Sequence, residues 1–129
     1  MKTMASLAAR GIAPSVVDDQ VGRLTFTEDL AAGIRHLLDT GAPYGTFNLT
    51  NTGPSMSWAE VAREVYRLSG ASPEAVTGVS TAEYFAGKTG VAPRPLLSTL
   101  ELGKLEAAGF VPEHAGKRLE AYIGCLNES

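Results

Sequence analysis

Ser15-Val16-Val17, then Asp18-Asp19-Gln20-Val21-Gly22-Arg23-Leu24-Thr25, then an apolar stripe on Leu30, Ala31, Ile34, Leu37 and Leu38 is the stretch that decides the fold. Three β-prone residues run into a polar, turn-rich loop. Thr25 and Glu28 have the spacing of a capping box, in which the hydroxyl accepts an orphan N–H and the carboxylate reaches back. The stripe that follows falls on one helical face, and Gly41 and Pro43 close it. A short strand, a loop and an amphipathic helix in that order is the α/β pattern.

The pattern extends in both directions. Met4, Leu7 and Ala8 mark the end of a helix, with Gly11 as its stop. Thr46-Phe47-Asn48-Leu49-Thr50 alternates and predicts a strand, and Asn51-Thr52-Gly53-Pro54 predicts a turn. Ser57 and Glu60 form a second capping box, before a stripe of Trp58, Val61, Ala62, Val65 and Leu68 that Gly70 and Pro73 end. On that stripe Trp58 reads as a core residue. Val76 to Ser80 predicts another strand, and Ser80 with Glu83 caps a single turn. Gly87, Gly90, Pro93 and Pro95 make residues 86–97 an irregular loop. Ser98 and Glu101 cap a third helix with Leu102, Leu105 and Ala108, stopped by Gly109. A last helix runs from Pro112 to Leu126 with Leu119, Tyr122 and Ile123 on one side. The expected fold is a small mixed α/β domain over residues 1–129, with about three to four short strands and about four to five helices.

Composition narrows the function. A chain of 129 residues supports one core. With 44% apolar and 19% charged residues it has a globular rather than a disordered balance. A net charge of −3 leaves no basic footprint, so no nucleic-acid partner is expected. No apolar run approaches the ~20 residues of a membrane span. Lys2 is not followed by the apolar stretch of a secretory signal. One cysteine, Cys125, excludes an internal disulfide framework, and His36 and His114 have no metal-ligand spacing around them. No metal is expected, and a cytoplasmic setting is.

Two motifs imitate chemistry. Tyr84-x-x-x-Lys88 has the spacing of a tyrosine–lysine acid–base pair, but Gly87 and Gly90 weaken the helix it needs and no glycine fingerprint precedes it. Gly87-Lys88-Thr89 resembles the end of a phosphate loop, but Ala82 stands where that pattern needs glycine. Asn48-Leu49-Thr50 and Asn127-Glu128-Ser129 spell glycosylation acceptors, which mean nothing without a secretory signal. No catalytic residue is assigned. Two polar loops remain. The first spans Asp18 to Thr25 and reads either as a strand-to-helix connection or as a ligand loop. In the second, Ala92-Pro93-Arg94-Pro95-Leu96-Leu97-Ser98, two prolines stiffen the backbone around one arginine. Arg94 is either an exposed surface residue or a guanidinium held for bidentate capture of phosphate or carboxylate.

At these loops the sequence resembles a known family. Val16-Val17-Asp18-Asp19-Gln20-x-Gly22-x-x-Thr25 is similar to the "V-x-D-Q-x-G-x-P-T" stretch of dTDP-4-dehydrorhamnose reductases, in the extended short-chain dehydrogenase group. Tyr44-Gly45-x-Phe47-Asn48-Leu49, Ser57-Trp58-x-Glu60, Thr81-x-Glu83-Tyr84 and Arg94-Pro95-x-x-Ser98-x-Leu100 follow in the family's order. Lys2-Thr3-Met4 resembles the helix that precedes the first loop. Two departures stand out: Leu24 replaces the family's proline, and Gly87-Lys88-Thr89-Gly90 lengthens the approach to Arg94.

The resemblance covers only the C-terminal, substrate-binding part of such an enzyme. It implies a lobe lacking its Rossmann half, with no cofactor of its own, inactive in isolation, and a parent that uses NADPH to reduce a dTDP-4-keto-6-deoxy sugar toward dTDP-L-rhamnose. Implied partners are the dTDP-sugar and the missing N-terminal dinucleotide-binding domain; the face that domain would cover and the unpaired sheet edges point to a second copy in a homodimer, with the first helix as mediator. Implied substrate contacts are Gln20, Thr25, Arg94 and Asp19, with Asp19 equally suited to holding its loop through an Asx turn. Two other readings stay open. One is a relative on the same scaffold with other chemistry, such as a sugar-nucleotide epimerase, a dehydratase or the regulatory subunit of methionine adenosyltransferase. The other is a stand-alone interaction module.

Overall fold

A computed structural model describes residues 1–127; Glu128 and Ser129, which complete the second glycosylation spelling, lie outside the described residues. The order is α1 (Lys2–Ala9), β1 (Ser15–Val17), β2 (Val21–Gly22), α2 (Thr27–Asp39), β3 (Met56–Ser57) and α3 (Trp58–Leu68). A 3-10 turn (Pro73–Ala75), β4 (Thr77–Val79), α4 (Thr81–Tyr84), α5 (Gly103–Ala107) and α6 (Ala115–Asn127) complete it. β1 pairs in parallel with β4, Val16 opposite Gly78, and β2 pairs antiparallel with β3, Val21 opposite Ser57. This is the small mixed α/β domain that the sequence implies.

The long helix α3 is the centre. Its Ser57 cap is complete: Ser57 Oγ accepts from the Glu60 amide at 3.2 Å, and Glu60 Oε2 accepts from the Ser57 amide at 2.7 Å. One side of α3 places Ala59, Ala62 and Tyr66 against Ala8, Val16 and Val76. The buried phenol of Tyr66 donates to the Ile12 carbonyl at 2.7 Å, so its polar atom enters the core satisfied. The other side places Val65 against Leu119 and Ile123 of α6, with Leu24 and Phe26 packed on them. Helix α1 is not left bare, since Met4, Leu7 and Ala8 lie against the α3 core.

Several expectations differ from the structure. Thr25 and Glu28 form no capping box: α2 starts at Thr27 with no side-chain cap, and Glu28 binds Arg118. Ser98 and Glu101 do not cap α5, which starts at Gly103; Ser98 meets Val21, and Glu101 Oε2 accepts from the Gly103 amide at 2.7 Å. Residues 46–50 form no strand, because no neighbouring strand pairs with them. The supposed loop after Asp18 contains β2, and α6 starts at Ala115 rather than Pro112. Trp58 is 53% exposed rather than in the core. At the first position of α3 the stripe has run past the residues that cover it.

A polar network ties the pieces together. Asp29, its side chain 4% exposed, accepts from Arg118 Nε at 2.7 Å and from Asn51 Nδ2 at 2.7 Å, and the Glu113 amide adds a bond of 3.1 Å. Burial pushes the Asp29 carboxyl up, but the bonds from Arg118, Asn51 and the Glu113 amide together hold it below its ordinary value. Asn51, fully buried, accepts from the Phe26 amide at 2.8 Å, which fixes the entry into α2.

Candidate functional site

A cavity of about 540 Å³ opens where β2, the start of α3 and the arginine-bearing loop meet; Gln20, Gly22, Arg23, Trp58, Arg94 and Ser98 are among its lining residues. The backbone explains how the two loops come together. The Val21 amide donates to the Leu96 carbonyl at 2.8 Å, and the Ser98 amide donates to the Val21 carbonyl at 2.9 Å. Residues 96–98 therefore lie along the free edge of β2, with Val21 bridged to Leu97 in parallel. Gly22 permits this approach: a Cβ there would meet Ser98 Oγ at 2.6 Å.

The opposite edge and the rear of the loop are fixed as well. Leu24, standing where proline is expected, is anchored through its carbonyl, which accepts from Thr50 Oγ1 at 3.0 Å and from the Asn51 amide at 3.3 Å. Its side chain packs with the α3–α6 core. The rigidity that proline would supply comes here from buried Thr50 and Asn51.

The four residues singled out by the resemblance separate into two pairs. Gln20 and Arg94 both line the cavity. Gln20 Nε2 donates to Thr81 Oγ1 at 3.0 Å, which orients its amide. Asp19 instead accepts from the Thr81 amide at 3.0 Å and from Thr81 Oγ1 at 2.5 Å, and these bonds hold its carboxyl below the usual range. Thr25 is exposed, and its hydroxyl pairs with Thr50 Oγ1 at 2.8 Å. Neither Asp19 nor Thr25 lines the cavity. Both hold the segment that carries Gln20 and Arg23.

Two lining residues escaped the sequence. Nothing in the sequence marks Arg23, since a single cation in a polar loop is commonplace, although it is the only arginine between Asp18 and Thr25. The spacing of Trp58 points to the core, and the structure exposes it. The Tyr84–Lys88 pair does not form a proton-transfer dyad: α4 ends at Tyr84, and Lys88 Nζ sits 4.4 Å from the centre of the tyrosine ring. Among the described residues no cluster of His, Cys, Asp and Glu could hold a metal ion, and no helix is long and apolar enough to cross a membrane.

Known proteins are similar to this chain in sequence and fold. The spore coat polysaccharide biosynthesis protein SpsK of Bacillus subtilis is 36% identical over 123 residues, 95% of this chain and 41% of that protein. A dTDP-4-dehydrorhamnose reductase of Streptomyces griseus is 39% identical over 101 residues, 75% of this chain and 32% of that enzyme. The crystal structure of dTDP-4-dehydrorhamnose reductase from Bacillus anthracis, in complex with NADP, superposes with a TM-score of 0.79 at 32% identity, over 99% of this chain and 42% of that one. The Clostridium acetobutylicum reductase gives a TM-score of 0.83 at 34% identity, over 98% and 43%. The chain thus spans about two fifths of the length of SpsK and of these two structures. The family model described as the RmlD substrate binding domain matches residues 1–127, and the chain belongs to that family.

Proposed function

We propose that this chain is the nucleotide-sugar-binding lobe of an NADPH-dependent dTDP-4-dehydrorhamnose reductase, serving dTDP-L-rhamnose synthesis in the cytoplasm. The observation that carries this reading is the convergence of Gln20 and Arg94 on one cavity from loops far apart in sequence. A volume of about 540 Å³ lies in the range of small-molecule sites. The guanidinium of Arg94 suits a phosphate oxygen, the amide of Gln20 suits a sugar or base edge, and the exposed indole of Trp58 offers a flat apolar wall.

Among the described residues no strand runs through a glycine-rich turn into a helix, the geometry that holds a dinucleotide's diphosphate. β4 leads through Ser80 into α4, and β1 leads through the acidic pair into β2. The chain does not fit NADPH by itself, and no hydride step is derived from it. Its part is to bind the substrate and exclude water from it.

Calorimetric titration with dTDP tests the reading. Binding that is lost in Arg94→Ala and Gln20→Ala supports it; no heat at millimolar dTDP rejects it. Incubation with NADPH and a dTDP-4-keto-6-deoxy sugar is expected to give no turnover, and turnover above background would overturn the assignment of the chemistry elsewhere. A homodimer belongs to the same proposal. Sedimentation equilibrium checks it, and a mass of one chain at every concentration removes it.

A further inference from the structure

Arg23 lies between two cavities. It lines the one that holds Gln20 and Arg94, and it lines a second of about 400 Å³ with Thr52, Thr99, Glu101 and Glu106. Its Nε is fully buried and has no hydrogen-bond partner. A buried donor without an acceptor is costly, and on a guanidinium more so. Among the described residues the ion pairs involve Arg35, Arg67, Lys117 and Arg118, and neither Arg23 nor Arg94 has a carboxylate within 4 Å. Arg23 and Arg94 therefore both line one cavity, and neither has an ion-pair partner of its own.

We infer that Arg23 is the second cation of a diphosphate cradle, opposite Arg94, and that it gives the site its preference for a diphosphate over a monophosphate. This rests on the nucleotide-sugar reading of the same cavity. A diphosphate carries two anionic groups, and two separated guanidiniums match it where a single one matches one phosphate. The second cavity does not compete for the anion, because Glu101 and Glu106 line it and repel negative charge. Arg23 is also the better placed of the two cations. It follows Gly22 of β2 and precedes Leu24, whose carbonyl is doubly bonded, so its backbone is fixed before the ligand arrives.

The test uses the chain with three probes, inorganic pyrophosphate, inorganic phosphate and dTDP, titrated calorimetrically into the unaltered protein, Arg23→Gln and Arg23→Lys. Pyrophosphate is expected to bind tighter than phosphate. Arg23→Gln is expected to weaken pyrophosphate about ten- to a hundredfold, the range of a charged hydrogen bond, and to leave the weak phosphate affinity within about threefold. Arg23→Lys should restore part of the loss, since the charge returns without the planar fork. Arg23→Gln should unfold at no lower a temperature than the unaltered chain, because it removes a buried, unpartnered cation. Pyrophosphate binding that Arg23→Gln leaves unchanged overturns the inference, and so does failure of the unaltered chain to bind pyrophosphate. Arg23-dependent pyrophosphate binding, with dTDP binding no tighter than pyrophosphate, supports the cradle and rejects the nucleotide reading. Binding of dTDP that is indifferent to Arg23 does the reverse.

Discussion

Residues 20–25 and residues 86–98 each bring an arginine to the same cavity, and they are held in opposite ways. The first segment is bonded along both edges and behind, by Ser57, by residues 96–98 and by the buried pair Thr50 and Asn51. The second is exposed at every residue, and from Thr89 to Pro95 none of its backbone amides has a protein partner among the described residues. Beyond the turn at Ala86 and Lys88, it is tied down among the described residues where Leu96 and Ser98 meet Val21. The wall that carries Arg23 is set by folding, whereas the strap that carries Arg94 is set by its prolines and by whatever binds. Low local stability at one side of a binding site is where closure over a ligand is drawn from.

The contrast can be broken from the rigid side first. Asp29→Ala removes the acceptor shared by Arg118, Asn51 and the Glu113 amide. The expected loss is about 3 kcal/mol, the cost of opening one side of a buried pair, read by urea unfolding. The same residue sets an acid dependence. Its folded pKa lies below the ordinary 3.8, so its stabilisation is complete above that value and is lost as pH falls through the lower folded one. Unfolding midpoints measured from pH 6 down to 2 should fall less steeply in Asp29→Ala than in the unaltered chain.

A smaller change acts at the joint between β3 and α3. Ser57→Ala removes the α3 cap at the residue paired with Val21, and about 1 kcal/mol is expected by thermal unfolding. Glu60→Gln, which keeps an acceptor for the Ser57 amide, should cost less than half of that.

Gly22→Ala separates the two segments. The new Cβ would press on Ser98 Oγ, so under about 1 kcal/mol of stability should be lost, with faster hydrogen exchange at the Ser98 amide. Adding Ser98→Ala relieves the contact and should return the exchange rate. If exchange at Ser98 does not respond to Gly22→Ala, the strap is held elsewhere.

The smallest effect is expected on the strap itself. Arg94→Ala should change stability by no more than about 0.5 kcal/mol, as for an exposed side chain with no partner, while weakening dTDP. The chain has one tryptophan, Trp58, and it lines the cavity. A change in its fluorescence on adding dTDP reports the site directly, and no change at saturation would place the ligand elsewhere.

Four capping-box spacings show how far the sequence carries. Ser57 with Glu60 and Ser80 with Glu83 form as read, because nothing distant claims their side chains. Thr25 with Glu28 and Ser98 with Glu101 have the same spelling, but Thr50, Arg118, Val21 and the Gly103 amide take those groups. A pattern confined to four residues does not register a partner outside it, whether far along the chain, as Arg118 is, or close by, as the Gly103 amide is. The alternation at residues 46–50 misleads similarly, since a strand needs a neighbour that local spacing does not reveal. Of the cavity, Gln20 and Arg94 were legible because they stand in ordered motifs. Arg23 and Trp58 were not, because their role comes from where Gly22 and Ser57 set the backbone.

The bond between Arg118 and Asp29 joins residues 89 positions apart, and β1 finds its partner only at β4. The cluster of Ala8, Val16, Ala59, Ala62, Tyr66 and Val76 can therefore close once β4 is made, but the Val65 face of α3 cannot close without α6. Closing such long loops before any contact stabilises them makes folding slow for a domain of this size. On the ribosome the second core cluster waits, with Val65 uncovered, until Leu119 and Ile123 emerge. The last helix sets the moment at which the whole lobe becomes a folded object. Refolding that slows in Leu119→Ala by as much as its stability falls would show that α6 docks in the rate-limiting step.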